Sequence, residues 1–259
     1  MIDVHCHLEQ QDYDKDREEV IASLKKELKA VITSCADPRD WPITLEMVKK
    51  HKKFVFAVAG IHPEYIKDIK KDEISKFIEV IRKEAKLGNI VGIGEVGLDY
   101  YWIKEYVLRE KQKDLMIEFI KLSKELKLPL VIHSREAMSD TVYLLENYAK
   151  EEKVLLHLFG ERKILPRILE RKNWSISIGP MIKRSKDHKK IVRDMPLERI
   201  MLETDSPWFG EEKKRNTSLA IKEVAEKIAE IKKIPFDQVW KQCALNAIKF
   251  FNLPIKIEK

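Results

Sequence analysis

Cysteine is scarce. Cys6, Cys35 and Cys243 are the three in 259 residues, with no CxxC spacing and one left over after any pairing. A disulfide-stapled scaffold is therefore excluded, and a reducing cytoplasm is the expected compartment. Long apolar runs are also missing, so no transmembrane helix is expected. The strand-like Met1-Ile-Asp-Val leaves no room for a signal peptide ahead of it. No glycine-rich turn follows this first strand-like run, where Glu9-Gln10-Gln11-Asp12 stands. That counts against the phosphate-binding turn of a doubly wound sheet. Linkers, low-complexity tracts and helical repeats are absent too, which leaves one domain, residues 1–259.

What is present is charge. Lys and Arg number 50 against 43 Asp and Glu, a net charge of +7. An excess of that size suits a polyanionic partner. The interleaving in Lys25-Lys26-Glu27 or Glu223-Val-Ala-Glu226-Lys227 equally suits solvated helix faces and heat-adapted proteins. Charge alone leaves the two readings level.

Strand-like and helix-like segments alternate from end to end. The strand candidates are Ile2–Leu8, Ala30–Cys35, Phe54–Ile61, Ile90–Glu95, Leu130–His133, Val154–Phe159, Ser175–Ile178 and Ile200–Glu203. They are short, β-branched and apolar at nearly every position, as strands covered on both faces should be. Amphipathic stretches lie between them. Asp114–Leu126 places Leu115, Phe119, Leu122 and Leu126 at helical spacing, and Pro129 forces the chain out of that helix. Eight such units predict an α/β fold, a (β/α)8 TIM barrel, with Phe236–Leu253 as an extra C-terminal helix packed outside it.

Chemistry-bearing side chains sit at the ends of these runs: His5 and His7, Glu95, His133, His157 and Asp205. In a parallel barrel all six converge at one mouth, and four imidazoles with two carboxylates make a divalent-metal site. His5 and His7 are two apart on one strand, so both point to the same side. Glu95, between glycines in Gly92-Ile-Gly-Glu95-Val-Gly97, could turn one oxygen to each of two metals. Taken singly, His133 and His157 are better read as hydrogen-bonded core residues than as ligands. Five of the seven histidines lie at strand ends, however, and only His51 and His188 fall in helical, charged surroundings. Asp205, after the eighth strand, is the candidate general base toward a water. Glu203, two residues deeper, is assigned a supporting role. His62 and Arg135 are placed to hold an anionic substrate oxygen. Asp99 is placed to contact substrate or to orient a ligand histidine.

Several stretches together resemble one family, the TatD-type metal-dependent deoxyribonucleases of the amidohydrolase-like barrels. They are Ile2-Asp-Val-His-Cys-His-Leu8, Ala59-Gly-Ile-His-Pro63, Gly92-Ile-Gly-Glu-Val-Gly-Leu-Asp99, Pro129-Leu-Val-Ile-His-Ser-Arg135, Leu156-His157 and Leu202-Glu-Thr-Asp-Ser-Pro207. They run in family order over nearly the whole chain. The resemblance implies that His5, His7, Glu95 and Asp205 hold one metal, and that Glu95, His133 and His157 hold a second. It also implies a phosphodiesterase acting on DNA, as a 3′-to-5′ exonuclease on single strands. The chain departs from the family at His157-Leu-Phe-Gly-Glu161, where the glycine comes one residue early. It departs again at Arg215-Asn-Thr-Ser218, which lacks the usual Glu-Pro, and at Ser139, where an acidic residue is common.

Two divalent ions, of Zn, Mg, Mn or Co, are the expected cofactors. Lys183, Arg184 and Arg215 are candidates for holding phosphate. Tyr100, Tyr101, Trp102 and Trp208 follow catalytic strand ends and read either as base-stacking groups or as loop packing. Two alternatives to the nuclease stand. One is hydrolysis of a carbonyl ester or amide, such as an aminoacyl-tRNA ester. The other is a metal-holding scaffold without catalysis, against which Asp205 argues, since a purely structural site is usually closed by Cys and His.

Overall fold

A strand covered on both faces presents no polar side, and the eight apolar runs form such strands. The computed structural model describes residues 1–210 and 214–256. Its strands are β1 (Ile2–Cys6), β2 (Ala30–Cys35), β3 (Val55–Ala59), β4 (Gly92–Asp99), β5 (Leu130–Arg135), β6 (Val154–Leu156), β7 (Trp174–Ile178) and β8 (Ile200–Leu202). They lie in chain order in one sheet, and each pairs in parallel with the next. The seam between β8 and β1 is closed just past β8. There Asp205 N donates to His5 O at 2.9 Å and His7 N donates to Ser206 O at 2.7 Å. The buried Asp3 carboxylate ties the same seam, accepting from Thr204 N at 3.2 Å and Thr204 Oγ1 at 2.6 Å. The architecture is the (β/α)8 barrel that the alternation predicts.

Among the described residues, eight α-helices follow the strands in turn: α1 (Arg17–Glu27), α2 (Trp41–Lys50), α3 (Lys71–Lys86), α4 (Tyr106–Leu126), α5 (Met138–Tyr148), α6 (Leu165–Glu170), α7 (Lys186–Asp194) and α8 (Ile221–Lys232). A ninth, α9 (Phe236–Phe251), is the extra C-terminal helix. It buries Val239, Cys243, Ala244, Ala247, Phe250 and Phe251 against α8 and the β8–β1 seam. No helix among the described residues is long and apolar enough to cross a membrane.

Several boundaries differ from expectation, some of them for a plain physical reason. Helix α4 starts at Tyr106, two turns before Asp114. The buried residue of those first turns is Gln112, whose polarity hides the core-facing side from a reading of apolar spacing. Its amide accepts from Asp99 N at 3.1 Å and donates to Pro63 O at 2.9 Å. Strands β1, β6 and β8 end sooner than their apolar runs. Past β6 and β8 the chain leaves the ladder through left-handed residues, Leu158 (φ 45°) and Asp205 (φ 54°). As a result His7, His157 and Asp205 stand on the first residues of the loops rather than in the strands.

Candidate metal centre

Every strand points the same way, so the loops after β1, β4, β5, β6 and β8 meet at one mouth. Glu95 lies at the middle of what they carry there. Its Oε2 is 3.1 Å from His5 Nε2 and 3.8 Å from His7 Nε2. Its Oε1 is 2.8 Å from both His133 Nδ1 and His157 Nε2. Asp205 Oδ1 joins the first pair, 3.3 Å from His7 Nε2 and 3.6 Å from His5 Nε2. Within each pair the imidazole nitrogens are 3.2 Å apart. The two oxygens of one carboxylate thus face two histidine pairs.

Glycine makes this approach possible. Strand β4 presses against β5 so closely that a Cβ on Gly97 (φ 152°) would sit 1.9 Å from His133 O. A side chain there would push apart the two strands that carry Glu95 and His133.

Burial opposes charge here, yet Glu95, Asp205, His7, His133 and His157 hold one another charged. The imidazoles of His157, His5, His62 and His133 overcome the burial of Glu95 and keep its carboxyl well below the usual range. Hydrogen bonding from His7 and the nearby imidazoles likewise lower Asp205 against its burial, so it is ionised at neutral pH. In return His7 and His157 are raised well above an ordinary imidazole despite burial, His7 by Glu9 and Asp205 and His157 by Glu95 and Glu203. His133 is raised by Asp99 and Glu95. Four imidazoles, three of them buried and His133 partly so, and two ionised carboxylates with converging donor atoms suit a divalent cation, which stabilises the carboxylates without protonating the rings. Among the described residues, the triads His5–His7–Glu95, His5–His157–Asp205 and His62–Glu95–His133 each bring their donor atoms within 4.8 Å of one another.

The substrate-side candidates separate. His62 Nε2 is 3.6 Å from Glu95 Oε1, and its Nδ1 accepts from Glu64 N at 3.2 Å. Burial, then the charge of His133, push His62 down to about 3, so it is neutral with its proton on Nε2, facing the centre. Arg135 is exposed at the rim, its guanidinium 3.7 Å from the Tyr101 ring. Asp99 is buried. Its Oδ2 lies 3.1 Å from His133 Nε2, behind that ring, in the orienting position. Of the phosphate-holding candidates, Lys183 pairs with Glu223, and Arg215 is held by Asp16 in a fork of 2.7 and 2.5 Å.

One supporting carboxylate, Glu9, matters that the sequence did not single out. Glu9 Oε1 is 2.9 Å from His7 Nδ1, and its Oε2 accepts from Thr33 Oγ1 at 2.5 Å. The alternation His5-x-His7-x-Glu9 was the signal, since it puts all three on one side. Glu203, given a supporting role, accepts from Leu158 N at 2.5 Å and from Ser177 Oγ at 2.7 Å, with His157 Nδ1 3.7 Å away. A carboxylate behind a histidine fixes the ring and raises its basicity.

Known proteins are similar to this chain in sequence and in fold. The metal-dependent hydrolase YabD of Bacillus subtilis, named as uncharacterized, is 32% identical over 98% of this chain and 99% of its own. The deoxyribonuclease TATDN3 of Homo sapiens is 33% identical over 97% and 94%. Among solved structures, the TatD homologue YJJV from Escherichia coli superposes with a TM-score of 0.88 at 22% identity, covering 98% of each chain. A TatD family hydrolase from Entamoeba histolytica gives 0.87 at 20%, covering 96% and 97%. Residues 2–252 match the family described as "TatD related DNase", and to that family this chain belongs.

Proposed function

We propose that this barrel, one domain over residues 1–259, is a divalent-metal-dependent deoxyribonuclease that removes nucleotides from single-stranded DNA ends in the 3′-to-5′ direction. The observation that carries the reading is the division of Glu95, with one oxygen toward His5 and His7 and the other toward His133 and His157. His5, His7, Glu95 and Asp205 would hold one ion, and Glu95, His133 and His157 a second. Such ions supply Lewis acidity at the phosphoryl oxygens and ease the ionisation of water near neutral pH. Asp205, ionised and at the mouth, takes the proton of the attacking water. His62 donates from Nε2 to a phosphoryl oxygen, and Arg135 offers its planar fork to the phosphate. Glu9, Asp99 and Glu203 keep His7, His133 and His157 in place. The relative named deoxyribonuclease TATDN3 and the family match support DNA as the substrate. The cysteine pattern supports the cytoplasm.

The deciding measurement titrates Mg, Mn, Co or Zn into the protein with end-labelled single- and double-stranded DNA. Single strands should shorten from the 3′ end. Cleavage of an aminoacyl ester but of no oligonucleotide would replace the substrate and keep the site. His133→Ala should lower the bound metal per chain, and unchanged stoichiometry would remove His133 from the centre.

Metal uptake should also release protons. His7, His133 and His157 are raised above the ordinary imidazole value in the metal-free protein, so near pH 7 a cation must displace their protons. Apparent affinity should therefore keep climbing as pH rises through and beyond about 6.5. Calorimetry in buffers of different ionisation heat counts the protons, and a count of zero at pH 7 contradicts this account.

A further inference from the structure

Strands β4 and β8 stand four places apart in a ring of eight, so the loops after them face each other across the mouth. Each loop leaves large aromatic surface in water. After β4, Tyr101 is 40% exposed and Trp102 55%; after β8, Trp208 is 47% exposed and Phe209 41%. Exposed indole contributes little to folding, and here it is gathered at the end of the barrel that carries the histidine pairs.

Both tryptophans are anchored to the centre, on opposite sides of it. The Trp208 ring lies 4.6 Å from the His7 ring, beside the first pair. Trp102 N donates to Asp99 Oδ1 at 2.8 Å, and the other oxygen of Asp99 faces His133 in the second pair. Loop packing accounts for Tyr100, which is partly buried, donates to Asp140 Oδ2 at 2.7 Å and lies under Arg109. It does not account for the open faces of Trp102 and Trp208.

The surroundings of Trp102 sort the parts of a nucleotide. A cleft of about 370 Å³ beside it is lined by Glu64, Tyr65, Lys67, Asp68 and Ile103. Its two carboxylates outnumber the single Lys67, which itself faces Glu105 at 3.6 Å, so a base suits it better than phosphate does. Phosphate suits Arg135, whose guanidinium rests 3.7 Å from the Tyr101 ring and 5.6 Å from the Trp102 ring. Stacking uses the flat face of that group, and phosphate binding uses its edge.

Resting on the nuclease reading above, we infer that Trp102 and Trp208 each stack one base of a single strand, on opposite sides of the bond that is cut. The backbone crosses the mouth over Glu95 between them. Stacking of this kind tolerates any base, because every base has a flat face. It selects single strands, because paired bases remain stacked on their neighbours.

The test uses oligonucleotides with one abasic site, at the terminal or the penultimate nucleotide, and compares kcat/KM with the intact strand. In the unaltered protein each abasic site should cost about 5- to 150-fold, the range measured for a stacked base. Trp102→Ala should lose its sensitivity to one abasic position and Trp208→Ala to the other, while Trp102→Phe and Trp208→Phe keep theirs. If both alanine variants remain as sensitive as the unaltered protein, or both couple to the same nucleotide, the inference is overturned. If the unaltered protein cuts no oligonucleotide, the nuclease reading fails on its own, and fluorescence anisotropy with the same strands then judges the stacking. Base-dependent binding that the alanine variants lose sustains it, and equal binding of intact and abasic strands overturns it.

Discussion

Asp205→Asn should lower kcat on single-stranded DNA by roughly 10²–10⁴-fold, the usual contribution of a general base, with metal content retained. The substitution isolates chemistry from structure. Asp205 has φ 54°, a left-handed conformation that Asn tolerates nearly as well as Asp and that most residues resist. Its backbone ties, N to His5 O and O to Trp208 N, do not depend on the side chain. Asn keeps one oxygen near His7 Nε2 but cannot accept a proton. Glu203→Gln is the contrast. That carboxylate accepts from Leu158 N and Ser177 Oγ and acts through the orientation of His157, so it should cost about 10–100-fold. Near-normal kcat for Asp205→Asn with full metal content would show that Asp205 is not the base.

Glu95→Gln should have the broader effect, taking metal from both histidine pairs and bringing turnover to background. Its two oxygens divide between the pairs, Oε2 toward His5 and Oε1 toward His133 and His157. An amide cannot offer two anionic oxygens, and it turns an N–H₂ toward one pair. The imidazoles should respond as well. Glu95 raises His157 and His133 against their burial, so its neutralisation should bring both down. Histidine resonances followed by NMR against pH in metal-free protein read that change. Retention of two metals per chain by Glu95→Gln would show that the carboxylate does not join the two pairs.

The strands could be read from the chain because burial on both faces leaves a local mark, an apolar run of four to eight residues. Runs such as Ala30–Cys35 match their strand residue for residue. Their ends left no such mark. Where β1 and β8 stop depends on the bonds that close the seam, such as His7 N to Ser206 O, and these join residues about two hundred positions apart. Alternation along β1 placed His5 and His7 on one side. The same alternation reached Glu9, whose part became visible only with Thr33 beside it.

Side-chain type and local period thus determined the barrel, the mouth and the residues that gather there, because both are written within a few neighbouring positions. The closed ring decided the rest: which oxygen of Glu95 faces which pair, that Asp99 stands behind His133, that Arg215 is held by Asp16, and that Tyr100 packs while Trp102 stays open. Each of these is a distance or an exposure fixed by segments far apart in sequence. Such quantities take a value only once all eight strands have come together.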